Sequence, residues 1–166
     1  MQKLFLLLIP LYGLIALPPS NQQAMVEKNG MKVSWVIHCE KIDFTVFAPT
    51  SGWVAIGLNE DDSLVGSNLI MGAFKQEQAI VSDRYIVALG QHEPVEDLGG
   101  KDHLSNVKCT EDDLGTTLTF SISRRAVDEY HFSLAPYRSY HLTMAYSMAD
   151  DFKHHSAMRT AVEIIL

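Results

Sequence analysis

Gly52-Trp53-Val54-Ala55-Ile56-Gly57-Leu58-Asn59 is followed by the acidic loop Glu60-Asp61-Asp62-Ser63 and then by Gly66-Ser67-Asn68-Leu69-Ile70-Met71-Gly72. This stretch reads as two short apolar strands bounded by glycine, too short for buried helices. Neither strand alternates strictly, which is the composition of strands covered on both faces near the centre of a packed sheet. Upstream, Val33, Trp35 and Ile37 alternate with more polar neighbours, and Ile42, Phe44 and Val46 do the same. Only Cys39-Glu40-Lys41 separates these runs, so they form a hairpin with a tight connection. Downstream, Ala79–Ser82 and Tyr85–Ala88 flank Asp83-Arg84, and Thr116–Ile122, His141–Tyr146 and Ala161–Leu166 supply further strands.

Residues 90–108 are turn-rich and read as irregular, and Ser123–Asp128 reads as a brief helical turn. No amphipathic pattern of three helical turns occurs, nor any internal repeat. The expected fold is all-β, an immunoglobulin-like antiparallel β-sandwich of about 8–11 strands.

At 166 residues the chain has room for one domain. Met1-Gln2-Lys3 and the apolar run Leu4–Ala16, broken by Pro10, have the form of a secretory signal peptide. The run is short for a bilayer span, which takes about 20 apolar residues. The expected organisation is a leader over residues 1–24, its cleavage point open between Ala16 and Ala24, and a sandwich domain over 25–166. The product would be secreted, periplasmic or extracellular, without a stable membrane span. The formal charge of −7 becomes about −8 once Lys3 is removed, because no other charged residue precedes Glu27. Such an acidic chain lacks the clustered cations that nucleic acid or anionic lipid requires. An oxidising compartment permits a Cys39–Cys109 disulfide but does not establish one. The absence of a CxxCH sequence excludes covalent c-type haem.

In order, Trp35, Gly52–Gly57, Gly66-Ser67-Asn68, Asp83-Arg84-Tyr85, Phe120–Arg124 and His155–Arg159 form a pattern that resembles the DOMON family, extracellular β-sandwich modules that bind haem or sugars. The resemblance runs from about Met31 to Leu166. It implies b-type haem held axially by a histidine that falls on His155 and a methionine whose position falls on Leu64. Thioether and imidazole together suit a low-spin iron that shuttles one electron. Leucine has no donor atom, so Met71, seven residues further along, and Met148 are the methionines left as candidates, with core filling as the alternative role for each. Arg159 fits a haem propionate or a sugar carboxylate, because a guanidinium binds carboxylates bidentately. The resemblance further implies a redox role beside a partner protein. The rival it carries is recognition of a glycan or protein at the cell surface without haem.

Other residues carry weaker readings. His154 and His155 with His92 or His103 form a conceivable metal site, against the plainer reading of exposed loop histidines. Asp83-Arg84-Tyr85 reads as an ion pair that fastens a turn. Trp35 and Trp53 are candidates for stacking on a sugar, although their apolar neighbours point to the core. Gly-x-Ser-x-Gly, HExxH, P-loop and dinucleotide signatures are all absent, so the residues offer no catalytic set and the expectation is a binding or electron-transfer module.

Overall fold

The computed structural model describes residues 23–166, and the expected leader falls almost entirely outside them. Eleven strands follow one another: β1 (Gln23–Lys28), β2 (Met31–Ile37), β3 (Lys41–Ala48), β4 (Val54–Asn59), β5 (Asn68–Lys75), β6 (Gln78–Ala88), β7 (Gln91–Pro94), β8 (Ser105–Asp112), β9 (Gly115–Ser123), β10 (Ser139–Tyr146) and β11 (Met158–Ile165). They form two antiparallel sheets, one in the order β1-β2-β3-β9-β8 and the other in the order β11-β10-β4-β5-β6-β7. The all-β sandwich expected from the sequence is therefore the observed fold.

The main core lies between the sheets. Val33, Trp35, Ile42, Phe44, Val46, Leu118, Phe120 and Ile122 come from the smaller sheet, and they meet Val54, Ile56, Leu58, Ile70, Leu142 and Met144 from the larger one. Phe44 and Phe120 stack with centroids 5.4 Å apart. The two sheets come close at Gly72, where an added Cβ would stand 2.8 Å from a methyl of Leu118.

The near-continuous apolar character of β4 and β5 has a direct cause. Both strands sit in the middle of the larger sheet, and every residue of β4 is buried. Alternate side chains leave the sandwich by the other face. There Trp53, Ala55, Leu69, Met71, Ala73, Ile86 and Ala145 form a second buried cluster, with Leu64 and Phe152 packed against it.

Several local expectations need correction. Residues 78–88 form one uninterrupted strand, without a turn at Asp83-Arg84. Residues 90–108 hold β7 and the start of β8, and only the middle of the segment is irregular. These are edge strands, one short and ending in Pro94, the other mostly exposed and largely polar, so they lack the apolar signature of inner strands. No helix occurs at Ser123–Asp128, where the chain is held by side-chain contacts to Asp128 instead. Strand β1 begins within the span assigned to the leader, which covers its first two residues. It pairs with β2 across Asn29-Gly30, both with positive φ (51° and 79°), the geometry a two-residue hairpin turn favours. Cys39 is exposed, Cys109 is buried, and neither is paired.

Candidate functional site

The second cluster forms the floor of a hollow on the outer face of the larger sheet. Its walls come from separate parts of the chain. Trp53 and Ala55 belong to the β4 region, Leu64 to the loop before β5, Leu69 and Met71 to β5, and Ile86 to β6. Gly90, Gln91 and His92 close one side, Thr143, Ala145 and Arg159 another, and Phe152–Ser156 of the β10–β11 loop lie across the rim. The cavity measures ≈ 120 Å³ and opens to solvent at its rim, smaller than the about 300–1,000 Å³ of drug-sized ligand pockets, so a larger guest requires the loop across the rim to shift.

The β10–β11 loop is held over the sheet by its own backbone. Trp53 N–H donates to the Ala149 carbonyl at 3.0 Å, and Ser147 N–H donates back to the Trp53 carbonyl at 2.9 Å. Gly52 permits this approach: a Cβ there would lie 2.5 Å from both Ala149 N and Ser147 O. Beyond this anchor the chain turns sharply. The Asp151 carboxylate accepts from Lys153 N–H at 3.0 Å and its carbonyl from His154 N–H at 2.9 Å. That turn presents Phe152, His154 and His155 to the hollow.

All four residues singled out for a cofactor, Leu64, Met71, His155 and Arg159, line this one space. Met71 is 1% exposed and lies in the floor, whereas His155 and Arg159 are exposed at the rim. Arg159 is not held by the neighbouring aspartates in the way a purely structural salt bridge would require. Asp151 instead stands 3.6 Å from the His154 ring. Met148 is not among the lining residues; it is largely exposed, and its sulfur accepts from the Thr50 hydroxyl at 3.5 Å.

His92 joins His154 and His155 around the hollow, but His103 does not. The cause is strand alternation at Asp83-Arg84. Adjacent strand residues point to opposite faces, so the two do not pair with each other as the sequence reading had them. Arg84 lies on the outer side, where its Nε donates to His92 Nδ1 at 2.7 Å and Nη2 donates to the His92 carbonyl at 2.9 Å. Burial, followed by the adjacent guanidinium, holds the His92 pKa below its ordinary value. Asp83 lies on the inner side, where it meets His103 and His131. His131 was not singled out in the sequence, because its partners come from three separate segments.

Both tryptophans are buried, Trp35 at 4% exposure and Trp53 at 5%, as their apolar neighbours suggested. The Trp53 Nε1 is buried without a hydrogen-bond partner and belongs to a side chain that lines the hollow. Leaving such a donor unsatisfied costs about 1–3 kcal/mol, and a bound molecule with an acceptor offsets it.

Among known families, the model described as the DOMON domain matches residues 27–147. The chain is 32% identical over 79 residues to a Drosophila melanogaster protein described as MOXD1 homolog 2, an alignment spanning 48% of this chain and 10% of that relative. Among solved structures, the cytochrome b domain of pyranose dehydrogenase from Coprinopsis cinerea superposes with a TM-score of 0.58 at 9% identity, covering 85% of this chain and 80% of that one. The cytochrome domain of Myriococcum thermophilum cellobiose dehydrogenase gives 0.52 at 9% identity, covering 87% and 81%. At that identity the likeness is one of fold.

Proposed function

Because this chain belongs to the DOMON family, we propose that its outer hollow binds b-type haem, with His155 as the axial ligand, in an extracellular module that exchanges electrons with a partner protein. The observation that carries this reading is the donor set gathered around one space: an imidazole, a buried thioether, a guanidinium and apolar walls, with an unpartnered indole N–H. Bound haem would supply one-electron iron chemistry, tuned by its axial ligand and by burial.

The chain's own residues have distinct tasks in this reading. Leu64, Leu69, Ile86, Ala145 and Phe152 exclude water from an apolar macrocycle. Arg159 and Lys153 sit at the rim, where cations suit carboxylate substituents. His155 offers a ring nitrogen as ligand, and Met71 supplies polarizable packing from the floor. The neighbouring folds in pyranose and cellobiose dehydrogenases are cytochrome domains by description, which supports the haem reading by analogy of fold.

One observation favours a second reading, recognition of a glycan or protein at the cell surface without haem. Leu64 lines the hollow at the position expected for a methionine ligand and brings no donor. Burial of Trp35 and Trp53 removes the two indoles as open stacking faces for a sugar, so that reading would have to rest on other side chains.

Titration of the purified full chain with haem tests the choice. The haem reading expects a Soret band that weakens in His155→Ala and a six-coordinate low-spin spectrum in Leu64→Met. A titration without spectral change overturns it and leaves surface recognition.

A further inference from the structure

On the opposite side of β6 from the hollow, we propose that Asp83, His103 and His131 form a binding site for a divalent transition-metal ion of the zinc class, which clips two loops to the larger sheet. Asp83 projects inward from β6, His103 comes from the segment before β8, and His131 from the segment before β10. Their donor atoms all lie within 4.8 Å of one another. Asp83 Oδ2 stands 2.6 Å from His103 Nδ1 and 3.0 Å from His131 Nε2. The three side chains are 1%, 5% and 1% exposed, in the order Asp83, His103, His131, so water does not compete for them.

The ligand chemistry is that of zinc: two imidazole nitrogens and a carboxylate oxygen, leaving a fourth position open. In a tetrahedral site with ligand bonds of about 2.0–2.1 Å, neighbouring donors stand about 3.3 Å apart. The two Asp83–histidine separations therefore need to widen by less than about 1 Å, within reach of two loop histidines.

The surrounding groups point the same way. A metal-bound histidine commonly donates its second ring N–H to a carboxylate, which fixes its tautomer and orientation. His131 has that arrangement: Nδ1 lies 2.5 Å from Asp128 Oδ1, while Nε2 faces Asp83. Asp128 is itself held by Lys101 N–H at 2.7 Å and Tyr130 N–H at 3.0 Å. Asn68 donates to the other oxygen of Asp83 at 2.6 Å, leaving Oδ2 for the histidines. His103 and His131 meet edge to face, with centroids 3.9 Å apart, and both present a nitrogen to the same carboxylate oxygen. Each of the three ligands thus comes from a different segment, and two of them are oriented by an outer partner.

The test begins with full chain stripped by chelator and titrated with Zn²⁺ against a chromophoric competitor. One ion per chain is expected, with a rise in Tm of about 5 °C or more at saturation. Asp128→Asn keeps the fold and should weaken affinity about 10–100-fold. His131→Gln should abolish binding, whereas the double variant His154→Ala/His155→Ala should leave it unchanged. With Co²⁺ in place of Zn²⁺, visible absorption of low-coordinate cobalt should appear in the unaltered chain and fade in Asp128→Asn. Absence of binding, or binding lost in the His154/His155 variant and retained in His131→Gln, overturns the proposal. If His131→Gln does not fold, Asp128→Asn alone decides, and undiminished affinity there overturns the proposal equally. None of these outcomes depends on haem.

Discussion

Arg84 holds His92 twice, ring and backbone, at 2.7 and 2.9 Å. Because the guanidinium always donates, Nδ1 of His92 must accept, which places the neutral ring's proton on Nε2. This histidine of the hollow is therefore kept uncharged. Arg84→Ala removes the cation while burial remains, so the His92 titration midpoint should rise. Following the imidazole protons by NMR checks this, and an unchanged midpoint would mean that burial alone sets it.

Gly52 lets the loop that carries His155 lie against the chain entering β4. Gly52→Ala drives a methyl into the backbone of residues 147–149, which neither side can yield cheaply. A loss of about 2 kcal/mol or more is expected. Denaturant unfolding measures it, and any change in ligand binding should accompany the same substitution.

Trp53→Phe removes the unpartnered indole N–H from the edge of the hollow. Without ligand the loss of an unsatisfied donor offsets the cavity left by the smaller ring, so stability should change by less than about 1 kcal/mol. If a bound molecule accepts from that nitrogen, the same variant binds it more weakly. Unfolding curves with and without ligand separate the two effects.

In chelator-treated protein the Asp83 network makes stability depend on pH from both sides. Burial opposes ionisation of Asp83, but the bonds from His103, His131 and Asn68 overcome it and hold the carboxyl far below the usual range. A depressed carboxyl stabilises above its unfolded pKa, about 3.9, and that contribution is lost as pH falls below it. Burial alone would lower the His131 pKa, yet Asp83 and Asp128 raise it above its ordinary value. That contribution is complete below about 6.5 and is lost as pH rises through the raised value. Urea midpoints should therefore peak between these limits, and Asp128→Asn should flatten the alkaline side.

The two cysteines should differ in reactivity. Burial first, then Glu111 and Asp150, pushes the Cys109 thiol up to about 11, while Cys39 is exposed. A thiol reagent at pH 8 should label one site in the folded chain and both in denaturant. A single disulfide-linked product with no free thiol would contradict the two unpaired cysteines of the structure.

The centre of the fold was legible in the sequence because its strands are covered on both faces. Gly52–Asn59 and Gly66–Gly72 are apolar at almost every position for that reason, and the same glycines mark where backbones approach. The edges were harder to read. Strand β8 exposes most of its side chains, so no periodic signal survives, and β1 was hidden by the leader-like composition before it despite Asn29-Gly30 marking the turn. Period-two alternation already separates Asp83 from Arg84, and it outweighs the attraction between opposite charges next to each other. Leu64, Met71, His155 and Arg159 gather around one space, but no spacing rule predicts His131, whose partners lie 3, 28 and 48 residues away in the chain.

Because β4, β5 and β10 send alternate side chains to the two faces of one sheet, the residues that line the hollow and the residues that hold the sandwich together are interleaved yet separate. Every second position on these strands can be rewritten to suit a new guest, and the seam between the sheets keeps its own set untouched. Such a frame lets the lining of the hollow change while the chain remains folded.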